Sequence, residues 1–368
     1  MLTRRSSTNP IPALVAVLAG GLVWLHHASS AEPDQKLLDA RTRAIEFLKS
    51  AQQADGTWTT ANSPGITGLV TTSLLRSGVS PDDPCVSKAL DFLKSQVHKD
   101  GGIYFEQGNH RNYETCISIM AFKAANADGR YDELLKQADT YIRDQQWDEG
   151  EGKEKDDPFY GGAGYGSKSR PDLSNTSFLI DALKAGGAGP DDPALQKALA
   201  FVSRCQNLES PANITEFAAK INDGGFYYTI AAGGSSMAGA NADGGLRSYA
   251  SMTYAGLKSM VYAGVGPEDP RVKAAMNWIK QHYTLSENPG MDQAGLYYYY
   301  QTFAKALDAI GEPELTAADG TKHLWRTDLQ SQLIKVQQPN GSWVNATPRW
   351  MEGDPHLATA YALLALAH

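Results

Sequence analysis

Two kinds of helical segment alternate along the chain six times, and that alternation limits the fold more than any other feature of the sequence. The first kind is amphipathic. Ala44, Ile45, Phe47, Leu48 and Ala51 recur at the three-and-four spacing of one buried face. Later members are KALDFLKSQ around Phe92, ADTYIRDQQ around Tyr141, KALAFVSRCQ around Phe201, AAMNWIKQH around Trp278 and LQSQLIKVQQ around Leu333. The second kind is small or apolar on nearly every face: TGLVTTSLLRSG, ETCISIMAFKAA, SNTSFLIDALKAGG, SMTYAGLKSMVYAG, YYYYQTFAKALDAIG and HLATAYALLALAH. A helix apolar all round must be buried all round. With no competing strand or βα pattern, the alternation predicts an all-α (α/α)6 toroid, a closed double ring of six outer and six inner helices.

The connections between these segments are themselves patterned. GVSPDDP at Gly78, GAGPDDP at Gly187 and GVGPEDP at Gly264 each place a Gly after an inner helix, then an Asp at an N-cap and a Pro at the first helical position. Their acidic pairs are therefore read as caps worth about 1 kcal/mol each, not as catalytic carboxylates. The outer-to-inner links include the long Gly-rich stretches Asp148 to Pro171 and Asn207 to Leu246. All such links emerge where the inner helices begin, and long loops gathered at one end of a scaffold usually form its functional mouth. Helix N-termini also converge there, a mildly positive setting for polar or anionic groups.

Composition narrows the partners. A net charge of −8, with 42% apolar and 20% charged residues and no basic block beyond the extreme N-terminus, excludes the electrostatic footprint of nucleic-acid binding. Arg4 and Arg5 precede an apolar run from Ala13 to Leu25 and the small residues Ala28 to Ala31, which predicts a signal peptide over residues 1–31 and a secreted or periplasmic protein. Residues 32–368 are then expected to form a single toroid domain of six helix-pair repeats. Membrane contact is compatible with this reading and not required by it. Cys85, Cys116 and Cys205 all lie in apolar helical patterns and read as small buried hydrophobes.

Two nearly identical phrases, FLKSAQQADGTW and LIKVQQPNGSW, stand in the first and last repeats, with weaker copies in FLKSQVHKDGGIYF and NDGGFYY. Together with the terminal DPHLATAYALLALA they resemble the QW-like repeats of the terpenoid cyclase and protein prenyltransferase superfamily, over about Leu37 to His368. The resemblance implies the toroid, with Gln52, Gln53, Trp58, Gln337, Gln338 and Trp343 in structural roles at the seam where the ring closes. It implies less about chemistry. The Asp-x-Asp-Asp motif with which protonating cyclases of this superfamily act is absent. Prenyltransferases hold zinc through Asp, Cys and His near the inner-helix starts. Here Asp354 and His356 are near such a start, but repeats four and five have no corresponding Cys. A set of Glu114, Cys116 and His356 has ligand types that zinc accepts, yet no spacing demands it, so no cofactor is expected.

The first turns of the inner helices nominate the site. Glu114, Asp172 and His356 are the candidate catalytic groups: His356 as a base with Asp354 or Glu114, or Glu114 and Asp172 as a carboxylate pair of the kind used in glycoside cleavage. Tyr113, Asn175, Tyr249, Tyr298, Tyr299 and Asp354 are expected to line the cavity. Four consecutive tyrosines, Tyr297 to Tyr300, cannot all face one way on a helix, so one or two reach the interior. The expected partner is a small apolar molecule, of isoprenoid type, or a polysaccharide. The functions in view are a binder or enzyme for an apolar ligand, a carbohydrate-active lyase or hydrolase, and a non-catalytic interaction platform.

Overall fold

The computed structural model describes residues 35–368, so the expected signal peptide at residues 1–31 lies outside the described residues. The helices come in six pairs, outer then inner. They are α1 (Gln35–Ala51) with α2 (Pro64–Arg76), α3 (Pro84–Ser95) with α4 (Arg111–Ala124), and α5 (Asp132–Asp144) with α6 (Leu173–Gly186). After α7 (Pro193–Arg204) a single turn, α8 (Ala218–Ile221), interrupts the long link to its inner partner α9 (Ala250–Tyr262). The circuit ends with α10 (Pro270–Gln281), α11 (Leu296–Ile310), α12 (Trp325–Val336) and α13 (Pro355–Leu366). A small antiparallel hairpin, β1 (Leu315–Thr316) and β2 (Lys322–His323), links α11 to α12 with Leu315 opposite His323. Successive inner helices pack side by side, α13 packs on α2, and α12 meets α1, so both rings close. The inner helices are buried along almost their whole length, as their composition requires.

The three Asp-Pro connections are caps. Asp83, Asp192 and Asp269 accept the backbone N–H of Cys85, Ala194 and Arg271, and Pro occupies the first helical position after each. The three cysteines are buried and unbridged.

A second device, built from the QW-like phrases, ties four of the six outer helices to the next. Gln52 Nε2 donates to the carbonyls of Gly56 and Cys85 at 3.0 and 2.8 Å. Gln146, Gln206 and Gln337 repeat this geometry, each joining its own turn glycine to a carbonyl near the start of the neighbouring outer helix: Ala194, Arg271 and Ala40. The turn glycine in these phrases lies flat on that neighbouring helix. A Cβ at Gly341 would sit 2.5 Å from the Arg43 carbonyl, and at Gly56 2.5 Å from that of Lys88, both with φ at +88°. Trp58 and Trp343 then fold back under their own helices, fully buried, each donating Nε1 to a carbonyl, Leu48 at 2.8 Å and Leu333 at 2.9 Å. Of the two Gln in each phrase, the first makes this bridge between helices. Gln53 accepts the Thr57 hydroxyl nearby, and Gln338 enters the turn through its backbone N–H.

Candidate functional site

At the end where the inner helices begin, their first turns surround a cavity of about 280 Å³. Ile66 of α2, Tyr113 and Glu114 of α4, Phe178 of α6, Met252 of α9, Tyr298 of α11 and Tyr361 of α13 form its wall. The long links add Tyr165, Tyr228 and Met237, and the segment before α13 adds Trp350, Met351 and Glu352. The aromatic rings make a continuous belt. Tyr113 meets Phe178 edge-on at 5.1 Å and Tyr165 at 5.6 Å, Phe178 stacks on Tyr298 at 6.2 Å, and Tyr298 leans on Tyr361 at 5.8 Å. Tyr298 OH and Ser174 Oγ are hydrogen-bonded at 2.9 Å, which fixes that ring against α6.

Glu114 is the acidic group of this wall closest in kind to a proton donor. Its carboxyl is buried, and Oε2 accepts the Phe105 N–H at 2.9 Å. Desolvation dominates over that bond and pushes its pKa up to about 7. Glu352, the other carboxyl of the lining, is held differently. It accepts the N–H groups of Tyr297 and Tyr298 at the start of α11 and Nδ2 of Asn345, at 3.2, 2.8 and 2.7 Å. Burial raises its pKa too, against those three bonds. With both oxygens bonded, it anchors the Trp350 segment to α11.

The other candidates occupy the frame around the cavity. Asp172 does not line it: the side chain caps α6, accepting Asn175 N at 2.9 Å and Asn175 Nδ2 at 2.7 Å. Burial raises Asp172 to about 6 despite those bonds. Asn175 is thereby turned toward Asp172 and is likewise outside the lining. Asp354 caps α13 through His356 N, lies 3.3 Å from His356 Nδ1 and accepts the Thr59 hydroxyl at 2.6 Å; burial opposes ionisation, but the His356 side chain, then Thr59 and the cap, hold it down at about 2. His356 sits at the ring seam, stacked on Phe47 with centroids 5.7 Å apart and with Nδ1 3.1 Å from Thr59 Oγ1. Neither residue reaches the cavity, so the structure does not bring His356 to Glu114. Tyr299, expected in the lining, instead packs against Tyr254 and Phe303 and donates its hydroxyl to Thr284 O. Of the tyrosine run only Tyr298 lines the cavity, together with the expected Tyr113 and Tyr249. Among the described residues no group of three or more His, Cys, Asp and Glu is placed to hold a metal ion, and Cys116 lies in the core against Asn112 Oδ1.

The family of the squalene-hopene cyclase C-terminal domain matches residues 60–230. The apo type II terpene cyclase MstE from Scytonema superposes with a TM-score of 0.55 at 13% identity, covering 90% of this chain and 97% of that one. The chain has the α/α-toroid fold of these cyclases. A protein from Actinoplanes shares the fold at a TM-score of 0.54 and 15% identity, over 90% of this chain and 98% of its own. So does a family 76 glycoside hydrolase from a bovine Bacteroides thetaiotaomicron strain, at 0.54 and 10%, over 90% of this chain and 78% of its own. No curated protein sequence matches it. At such identities the likeness is one of fold, and the chemistry of this toroid must be read from its own cavity.

That cavity includes residues no sequence pattern announced. Trp350 and Met351 adopt left-handed backbone angles, φ 55° and 63°, which are strained for side chains of this size. The strain turns both side chains toward the mouth, and a Cβ at Gly295 would lie 3.1 Å from the Trp350 ring. The Arg349 guanidinium covers the Trp350 ring at 4.2 Å.

Proposed function

We propose that this terpenoid cyclase-like toroid takes up a small apolar ligand of isoprenoid class and that Glu114 acts on it as a general acid toward an oxygen function. The observation that carries the reading is a buried carboxyl with a pKa near 7 set in an aromatic-walled cavity. The volume of about 280 Å³ stands at the low end of the roughly 300–1,000 Å³ of small-molecule sites, which favours a compact ligand. Phe105 N–H occupies Oε2 of Glu114 and leaves Oε1 to carry the proton. Transfer of that proton to a ligand oxygen weakens the C–O bond and leaves a carboxylate on Glu114. Positive charge developing on carbon then faces the rings of Tyr113, Phe178, Tyr298 and Tyr361, whose quadrupoles favour a cation. An acid of this strength is matched to oxygen near neutral pH and is too weak to start a reaction at an isolated alkene, in keeping with the missing Asp-x-Asp-Asp motif.

The carbohydrate reading has the rim aromatics Tyr165 and Trp350 in its favour as stacking platforms. It also needs a second carboxyl free to act on water or sugar. Asp172 is committed to its cap, and Glu352 has both oxygens bonded, so this reading ranks second. The signal-like N-terminal sequence supports export in either case. Lipid extracts of the purified protein, analysed by mass spectrometry, test the proposal together with thermal shifts against oxygenated isoprenoids. Tyr298→Ala is expected to abolish a shift that the native protein shows. Persistent absence of any bound lipid or shift, with sugar release from a polysaccharide panel, would transfer the assignment to the second reading.

A further inference from the structure

Away from the mouth, the C-terminal halves of α2, α4, α6, α9 and α11 enclose a second cleft of 570 Å³. Its charged walls are Arg76, Lys123, Lys184 and Lys305, against the lone carboxylate Asp181. Behind Asp181 lies Lys258. Lys258 Nζ donates to Asp181 Oδ1 at 2.6 Å and Lys305 Nζ to Oδ2 at 2.7 Å, with side-chain exposures of 2%, 7% and 3% for Lys258, Lys305 and Asp181. Two buried ammonium groups thus share one carboxylate. Each has three N–H donors and gives one of them to Asp181. Buried charge is normally balanced within reach, and here one positive charge is left over at the floor of an open cleft. Desolvation lowers both lysines, joined by repulsion from Lys305 at Lys258, which falls to about 8, and by repulsion from Arg76 at Lys305.

The rim adds to the excess. Among the described residues Arg76, Lys123 and Lys184 form no ion pair with a carboxylate; Arg76 meets His368 Nε2 at 3.5 Å and Lys184 donates to Ala188 O at 3.1 Å. Cations at helix C-termini complement the helix dipole, which accounts for these three in the last turns of α2, α4 and α6. It does not account for Lys258 and Lys305, which stop short of their helix ends and turn to a side chain. Leu75, Met120 and Tyr262 supply an apolar face beside the charges.

We propose that this cleft is a binding site for a phosphate or diphosphate group carried on a small organic body, distinct from the aromatic cavity and independent of the function proposed for it. Several converging cations call for an anion of more than one charge, and lysine point charges beside an arginine fork suit phosphate oxygens. Lys305 supplies donors from the floor, Arg76, Lys123 and Lys184 close on the anion from the rim, and the apolar face covers the carbon portion.

Calorimetric titration with inorganic pyrophosphate at fixed ionic strength, with sulfate as the control, tests the site. Saturable binding is expected for the full chain, weakened at least tenfold in Lys123→Ala/Lys184→Ala, whose rim positions leave the core intact, and in Lys305→Met. No saturable binding, or equal affinity in the native protein and the rim variant, overturns the proposal. Vesicles of phosphatidylcholine with and without phosphatidic acid separate the two sources of such a group. Pyrophosphate binding without flotation assigns a soluble phosphorylated molecule, and flotation with phosphatidic acid that pyrophosphate reverses assigns a lipid headgroup.

Discussion

Gln337 Nε2 donates to the carbonyl of Ala40 at 2.8 Å, so a side chain at the end of the last outer helix closes the ring onto the first. The same amide also holds the Gly341 carbonyl at 2.9 Å. Gln337→Ala strands both carbonyls and is expected to destabilise the protein by about 1–3 kcal/mol in denaturant titration. Its neighbour Gln338 places no such side-chain bond, and Gln338→Ala should stay within about 0.5 kcal/mol of the native protein. Equal effects at the two positions would refute the seam role.

Close approach and backbone handedness separate at two glycines. Gly161 has φ +80°, and a Cβ there would lie 1.8 Å from the Lys197 carbonyl on the next outer helix. Gly187 has φ +101° with nothing within 4 Å. Gly187→Ala should therefore cost only the left-handed penalty of about 1–2 kcal/mol. Gly161→Ala must also push two outer helices apart, and thermal melts should show it far the more damaging, or unable to fold.

The frame was legible in the sequence because it is periodic or local. Apolar residues at helical spacing announced each helix pair, and the Asp-Pro caps act over two residues, so Asp83, Asp192 and Asp269 could be assigned without a structure. Half of the cavity could not. Tyr165, Tyr228 and Met237 come from irregular links whose paths have no period, and Trp350 and Met351 reach the mouth through backbone angles that no residue type there favours. Tyr298 and Tyr299 differ by about 100° around one helix, and only the packing of α11 against α9 decides which faces inward. The bonds of Asp181 to Lys258 and Lys305 cross three inner helices, beyond the reach of any local pattern.

That three-way contact makes an asymmetric prediction. Asp181→Asn removes the shared counter-ion of two buried ammoniums and is expected to cost about 3–5 kcal/mol, read from denaturant midpoints. Lys305→Met leaves Asp181 paired one-to-one with Lys258 and puts an apolar side chain of similar volume at a buried position, so it should be close to neutral. A Lys305→Met variant as unstable as Asp181→Asn would mean that the excess positive charge is not the governing feature of the cluster.

Glu114 ties stability to pH with a definite sign. Its pKa rises from an ordinary 4.5 to about 7 in the fold, so the folded chain holds this proton more tightly than the unfolded chain. Stability present below pH 4.5 is therefore lost as pH climbs toward 7, by about 3 kcal/mol if burial acts in full. Asp172, raised from 3.8 to about 6, adds loss of the same sign over a lower window. Denaturant titrations at about pH 5 and about pH 8 should show the native protein less stable at the higher pH. Glu114→Gln, which cannot ionise, should lose less between the two while keeping Asp172's share. The same substitution removes the proposed proton donor, so turnover of an oxygenated ligand should fall by roughly 100-fold or more while its binding persists. An unchanged pH profile in Glu114→Gln would show that this carboxyl is solvated, and the general-acid assignment would fall with it.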